Sequence, residues 1–195
     1  YSLSDAIAGI DATGPQTTID TYPLNPSNDA SPDFTFSGTD DVTPPASLTF
    51  ECDLDTGGLN FIACTSPQNF PGLGEGSHTL QVHAVDQAGN SDPTPATYTW
   101  VMDTIAPEVA VFGALNPATT LNICIVALSA SDANGVTGYL ITESATPPSA
   151  DAAGWSATPP ATYAVASEGV HTIYPWAKDA AGNVSAFFAG LSITV

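Results

Sequence analysis

Residues 86–107 read DQAGNSDPTPATYTWVMDTIAP, and both halves of that stretch occur twice in the chain. The turn Asp86-Gln87-Ala88-Gly89-Asn90 returns 93 residues later as Asp179-Ala180-Ala181-Gly182-Asn183. The seam Asp103-Thr104-Ile105-Ala106-Pro107 has a counterpart 92 residues earlier, Asp11-Ala12-Thr13-Gly14-Pro15. Between turn and seam lies the alternating run that ends at Trp100 and Met102. A fixed period of this length, with strand-like runs and frequent Gly and Pro, predicts two similar β-domains in tandem.

Working outward, the 93-residue step carries Leu80, Val82 and Ala84 onto Ile173, Pro175 and Ala177. In the first repeat, Thr17–Tyr22 reads as an opening strand, and Phe34 and Phe36 alternate with Thr35 and Ser37. Leu48, Phe50, Cys52 and Leu54 alternate with Thr49, Glu51 and Asp53, which predicts a half-buried strand with an acidic outer face. Asp55-Thr56-Gly57-Gly58 turns that strand back toward Phe61–Cys64. Tyr98, Trp100 and Met102 form the last inward row, and Pro93 and Pro95 keep the preceding turn from joining the sheet. The second repeat has strands expected at Val109–Phe112, Ile123–Ala130, Gly138–Thr142, Thr162–Val165 and Phe188–Val195. Ile123–Ala130 is almost continuously apolar, so Cys124 within it is expected to be a buried hydrophobe. No run has helical periodicity. Single turns of helix are expected at most, near Leu73–Gly76 and Ser149–Gly154.

The 195 residues suffice for two domains that each bury a core. The unusual feature is the charge. Lys and Arg together number 1 against 20 Asp and Glu, for a formal net charge of −19. Such a surface repels nucleic acid and anionic membranes and attracts cations, hard divalent ones above all at Asp-rich loops. A halophilic surface would need many more acids. No apolar run reaches the length of a membrane span, so membrane insertion is not expected. The N-terminus shows no signal-peptide pattern, so a secreted form would be represented here by its mature chain or a fragment. Three cysteines, Cys52, Cys64 and Cys124, fit no zinc or haem spacing.

Certain strings are specific for a domain type. Phe50-Glu51-Cys52, Cys64-Thr65-Ser66-Pro67, Gly76-Ser77-His78-Thr79 and Ala84–Asn90 resemble a bacterial immunoglobulin-like repeat of large extracellular and surface proteins. Gly138–Ser144, Gly154–Pro160 and Trp176–Asn183 resemble a companion repeat of similar architectures. Together they cover nearly the whole chain after Asp11. The resemblance implies an all-β fold, two tandem immunoglobulin-like Greek-key β-sandwiches of seven strands each. It implies a passive or adhesive extracellular role and a bridge between Cys52 and Cys64. Read for themselves, those two cysteines close a short loop between neighbouring strands. That suits a disulfide in an oxidising compartment, or alternatively two buried thiols. The expected boundaries are residues 11–103 for the first domain and 104–195 for the second. Residues 1–10 form an extension in the place of a closing strand for which no domain precedes.

In such a sandwich the chain begins at the same pole as its second-to-third and sixth-to-seventh strand loops. That gathers Asp103, Asp132 and Asp179 in the second domain, and Asp11, Asp40 (with Asp41) and Asp86 in the first. Three converging carboxylates repel unless a cation bridges them, and Ca²⁺ takes oxygen ligands of this kind. The other reading makes Asp-x-Ala-Gly-Asn a hairpin turn, its Asp bonding its own backbone and its Gly at positive φ. Structural Ca²⁺ is therefore the expected cofactor, with the turn role holding either way.

The remaining candidates carry less chemistry. His78, His83 and His171 lack an accompanying nucleophile or paired carboxylate, so they are expected to be structural and the chain is not expected to be an enzyme. Tyr174 and Trp176 should point away from Ile173 and Pro175, as a surface for stacking on sugars or packing against a subunit, or as cover for a neighbouring strand or loop. Asn183-Val184-Ser185 has the form of a glycosylation sequon, although its Asn belongs to the repeated turn. The functional expectation is a Ca-stabilised segment of a surface adhesin or head-to-tail filament. Residues 1–10 would be donated as a strand to another copy, or alternatively be a disordered tail or the remnant of a longer multi-repeat protein. A carbohydrate-binding accessory module of a secreted protein is the alternative.

Overall fold

Alternation of aromatic or β-branched residues with Ser, Thr and Asp makes each half of this chain a set of short amphipathic strands, which bury their apolar face only by pairing two sheets. The computed structural model describes residues 11–195. The extension of residues 1–10, expected as a donated strand, lies outside the described residues. The chain divides between Met102 and Asp103 into two compact units.

In unit 1, β1 (Gln16–Thr21), β2 (Asp33–Thr39) and β5 (Gln68–Asn69) form one antiparallel sheet in the order β1-β2-β5. The second sheet has the order β4-β3-β6-β7, from β3 (Thr49–Leu54), β4 (Ile62–Cys64), β6 (Gly76–Val85) and β7 (Ala96–Met102). Phe34, Phe36, Cys52, Leu80, Val82 and Trp100 fill the space between them. Each such large side chain taken from water contributes about 1.5–3 kcal/mol. The Phe34 and Trp100 rings meet at 5.1 Å between centroids.

Unit 2 repeats the plan with six strands. One sheet orders as β11-β9-β8, from β8 (Glu108–Ala114), β9 (Asn122–Ser131) and β11 (Thr162–Ala164). The other orders as β10-β12-β13, from β10 (Gly138–Thr142), β12 (Val170–Lys178) and β13 (Leu191–Thr194). Val109, Phe112, Ile123, Leu128, Ile141 and Ile173 lie in its core. The counterpart of β4 is absent from this unit. In its place runs the irregular segment 143–161, held to β10 by a single two-bond bridge between Tyr139 and Ser156. Pro147, Pro148, Pro159 and Pro160 deprive that segment of the N–H donors a ladder needs.

Several expectations are corrected. Asp53 does not belong to an acidic outer face. It is 1% exposed and its carboxylate accepts hydrogen bonds from Thr56 Oγ1 and the Gly58 amide, so it organises the turn back toward β4. Cys124 is exposed, because β9 is covered on one face alone: Ile123, Ile125 and Leu128 point inward, and Cys124 and Val126 outward. No helix forms at Leu73–Gly76 or Ser149–Gly154, where the second stretch makes only an isolated turn from the Ala152 amide to the Ser149 carbonyl at 3.1 Å, and the short 3₁₀ helix of unit 1 lies at Pro45–Ser47. A helix needs an apolar stripe to dock, and neither stretch has one.

Trp176 is fully buried, which fits the reading as packing under a neighbouring loop and not the one as a surface contact. It does point away from the core, but segment 143–161 covers that side of the sheet. Its indole Nε1 donates to Thr142 Oγ1 at 2.9 Å. The neighbouring outward side chain Lys178 donates to the Ala150 carbonyl at 2.5 Å and lies over the Trp155 ring. Tyr174 is half-buried, its ring 5.7 Å from that of Phe187.

Candidate metal centre

The repeated turn builds the site from local bonds. In unit 2 the Asp179 amide donates to the Asn183 carbonyl at 3.2 Å, and Gly182 sits at φ +93°, a conformation that suits glycine. Asp179 Oδ1 accepts from the amides of Gly182 at 2.8 Å and Asn183 at 2.9 Å, while Oδ2 accepts from Asn183 Nδ2 at 2.8 Å. The same Nδ2 donates to the Asp103 carbonyl at 2.8 Å, which ties the seam to the turn. Asp132 closes the loop after β9 by accepting from the amides of Asn134 at 2.7 Å and Gly135 at 3.1 Å.

These three elements bring Asp103, Asp132 and Asp179 together, with one carboxylate oxygen of each within 4.8 Å of the others. Asp103 and Asp179 are buried, at 1% and 2% exposure. Among the described residues, Asp103 Oδ2 is buried with no hydrogen-bond partner. Burial raises the Asp103 pKa above its ordinary value; an Asn134 side-chain bond opposes this, and the Asp179 and Asp132 charges add to it. The protein's own compensation is spent elsewhere, since its single Lys or Arg, Lys178, is engaged with Ala150 and Trp155.

Such a donor set fits a hard divalent cation. Two oxygens bound to one Ca²⁺ lie no farther apart than about twice a Ca–O distance of about 2.4 Å, so three oxygens this close can share an ion without the loops moving far. Asp103 would contribute a carboxylate oxygen, and its Oδ2 has no protein donor. Asp132 and Asp179 have their orientation set by backbone amides, and Asn183 holds the seam and turn in place as a positioning residue.

Unit 1 has a related but different arrangement. Asp11, Asp40 and Asp41 have oxygens within 4.8 Å of one another. Asp86, expected in that group, lies beside it with both oxygens occupied by Asn90: the amide donates to Oδ1 at 2.8 Å and Nδ2 to Oδ2 at 2.7 Å. Burial would raise the Asp86 pKa, but the bonds from Asn90, Gly89 and Ala88 outweigh it and hold the group below its usual value. Asn90 Nδ2 also reaches the Asp11 carbonyl at 3.1 Å, the counterpart of the Asn183 bond to Asp103. Asp41 follows Asp40 directly, and that adjacent pair was the signal for it in the sequence. Asp11, Asp40 and Asp41 are less buried than the acids of unit 2.

The other candidates have structural partners. Cys52 and Cys64 form a disulfide between β3 and β4 with a Cα–Cα distance of 5.8 Å, which suits an oxidising compartment. His78 and His171 are held alike, each ring between a carboxylate and a carbonyl. His78 meets Asp55 at 2.7 Å and the Gly74 carbonyl at 2.9 Å; His171 meets Glu143 at 2.5 Å and the Ser167 carbonyl at 2.9 Å. His83 meets Glu51 at 2.8 Å and stacks on Phe61. In the sequon, Asn183 Nδ2 is committed to two oxygens and Ser185 is buried, its hydroxyl accepting from the Ala177 amide at 3.0 Å.

Comparison with family models and with curated proteins finds no match for this chain. Among solved structures, the Clostridium thermocellum CbhA fibronectin(III)-like modules align with a TM-score of 0.55 at 20% identity, over 92% of this chain and 94% of that one. The fold is an immunoglobulin-like or fibronectin(III)-like β-sandwich. Two further structures align more loosely. Bacteroides ovatus SGBP-B, from a mixed-linkage glucan utilization locus and solved with a mixed-linkage heptasaccharide, gives 0.35 at 18% identity, over 93% of this chain and 48% of that one. The D00-D0 domain of intimin gives 0.33 at 12% identity, over 92% and 96%. Neither of those two bears on the function of this chain.

Proposed function

We propose that this chain is a structural, non-catalytic extracellular segment of a bacterial surface adhesin or filament, whose second unit is stabilised by Ca²⁺ held between Asp103, Asp132 and Asp179. The observation that carries the reading is that Asp103, which has a buried oxygen without a protein donor, is grouped with two further carboxylates. In a chain of formal net charge −19, an external cation is the available compensation. When bound, the ion supplies charge neutralisation and cross-links seam, loop and turn. The disulfide supports the extracellular setting. A ligand that binds the folded form alone stabilises it by mass action, by about 2.7 kcal/mol at 100 times its Kd. Thermal melts in Ca²⁺ and in chelator should therefore differ clearly, and Asp132→Asn with Asp179→Asn should remove the difference. Superimposable melts in the two buffers would sink the proposal.

Head-to-tail assembly through residues 1–10 is the form of filament this reading favours, with that segment adding a strand to another copy. Deleting residues 1–10 should then abolish polymers while both units stay folded. The carbohydrate-binding alternative rests on an exposed pair, Tyr174 and Trp176; the burial of Trp176 weighs against it, while Tyr174 is half-buried.

A further inference from the structure

The last strand of each unit lies at the end of its sheet, β7 in unit 1 and β13 in unit 2. The outer edge of such a strand is a row of backbone N–H and C=O groups with which another strand could pair. Charged side chains, lysine above all, are a common defence of an edge. Here β7 and β13 hold no charged residue, and the whole chain has 1 Lys or Arg. Thr99, Ser192 and Thr194 are exposed, so both edges face outward.

In both units an asparagine side chain lies along that edge and bonds to it as a peptide group would. Asn25 Nδ2 donates to the Thr99 carbonyl at 3.5 Å, and its Oδ1 accepts from the Val101 amide at 3.0 Å. Asn116 Nδ2 donates to the Ser192 carbonyl at 3.2 Å, and its Oδ1 accepts from the Thr194 amide at 3.1 Å. Thr99 and Val101 map onto Ser192 and Thr194 at the 93-residue step, and Asn25-Pro26 recurs as Asn116-Pro117. Each carboxamide spans a carbonyl and the amide two residues on, as one residue of a parallel neighbour does. The main chain then adds one bond of its own. The Ser27 amide donates to the Val101 carbonyl and the Ala118 amide to the Thr194 carbonyl, both at 2.9 Å. Between side chain and main chain stands Pro26 or Pro117, which has no N–H to offer outward.

We propose that Asn25 and Asn116 are edge guards, side chains that close β7 and β13 to the addition of another strand. A carboxamide offers the same donor and acceptor as a peptide unit, so it satisfies the edge without extending the sheet. The fold alone does not demand this, because water can satisfy exposed edge groups. What the asparagine adds is exclusion of a competing strand. Charge is a second barrier, since copies of formal net charge −19 repel one another, and salt weakens it. Strand addition of any origin, by residues 1–10 of another copy included, is thereby kept from β7 and β13. The inference is independent of the cation site.

Asn25→Ala and Asn116→Ala, made singly in the full chain, test this. In dilute low-salt solution the Val101 or Thr194 amide should exchange about tenfold faster in the matching variant, the factor for one lost hydrogen bond. In about 1 M NaCl, where the Debye length is about 3 Å, each variant should form larger assemblies than wild type. Sedimentation reads their size, and an infrared band of intermolecular sheet reads their bonding. Asn116→Asp keeps an acceptor for Thr194 but has no donor for Ser192, so it should associate less than Asn116→Ala. Asn60→Ala, at an exposed asparagine between β3 and β4, should match wild type. Circular dichroism and melting temperatures near those of wild type should accompany the association. Variants that sediment as wild type does, or whose Val101 and Thr194 amides stay protected, overturn the proposal. So does a variant that associates only after unfolding, since its asparagine then holds the fold and not the edge.

Discussion

Replacing Asp103 by Asn should reverse sign with calcium. The carboxylate is 1% exposed, and one of its oxygens lies within 4.8 Å of oxygens of both Asp132 and Asp179. At an effective dielectric of about 20, two charges that far apart repel by about 3.5 kcal/mol. Half-burial of Asp132 lets solvent screen part of this repulsion, which leaves about 2 kcal/mol. In chelator, Asp103→Asn removes that repulsion at nearly constant shape, and its amide can donate to either remaining carboxylate. For a domain of this size 1 kcal/mol moves the melting temperature by about 4–8 °C, so unit 2 should melt about 8–16 °C higher than wild type. In saturating Ca²⁺ the order should reverse, because wild type gains the binding free energy and the variant forfeits most of it. Scanning calorimetry is the suitable assay, since two units can give two transitions. If Asp103→Asn is destabilising in chelator, the carboxylate is held by donors of the protein and the reasoning fails. An unchanged calcium shift in the variant would place the ion elsewhere.

Three further outcomes are expected. Trp176→Ala should cost about 3–5 kcal/mol, as for other buried aromatics, with glycan binding unaffected; loss of glycan binding at unchanged stability would restore the accessory-module reading. Non-reducing peptide mapping should recover Cys52 linked to Cys64, and Cys52→Ala with Cys64→Ala should lower stability by about 2–3 kcal/mol, read by urea titration. For pH, bonding to Glu143 raises the His171 pKa, and bonding to the Gly74 carbonyl and Asp55 outweighs burial to raise that of His78. A group whose folded pKa lies above its unfolded value of 6.5 contributes stability that is complete below that pH and is lost as pH rises through the folded pKa. Urea midpoints in cation-free buffer should thus decline above about pH 6.5, and His78→Gln with His171→Gln should flatten that slope.

Much of this protein is local, and local features are legible in a linear sequence. The 93-residue repeat, the alternation that makes Phe34, Phe36, Leu80 and Val82 a single apolar face, and the Asp-x-Ala-Gly-Asn turn all depend on residues a few positions apart. Chain order in a sandwich then brings Asp103, Asp132 and Asp179 to one pole, so their meeting could be reasoned from topology. What covers a face could not. Alternation assigns Trp176 to the outer side of its sheet correctly, but whether that side meets water depends on segment 143–161, whose path is fixed by contacts such as Lys178 with Ala150 and Trp155. Asp53 reads as an outer acid until the turn through Thr56 and Gly58 folds over it and supplies its donors. Cys124 reads as core because its neighbours are apolar, yet it points to the face of β9 that, among the described residues, is left exposed. Residue type and spacing settle which way a side chain points; burial belongs to the pair of surfaces, and the second surface comes from residues far along the chain.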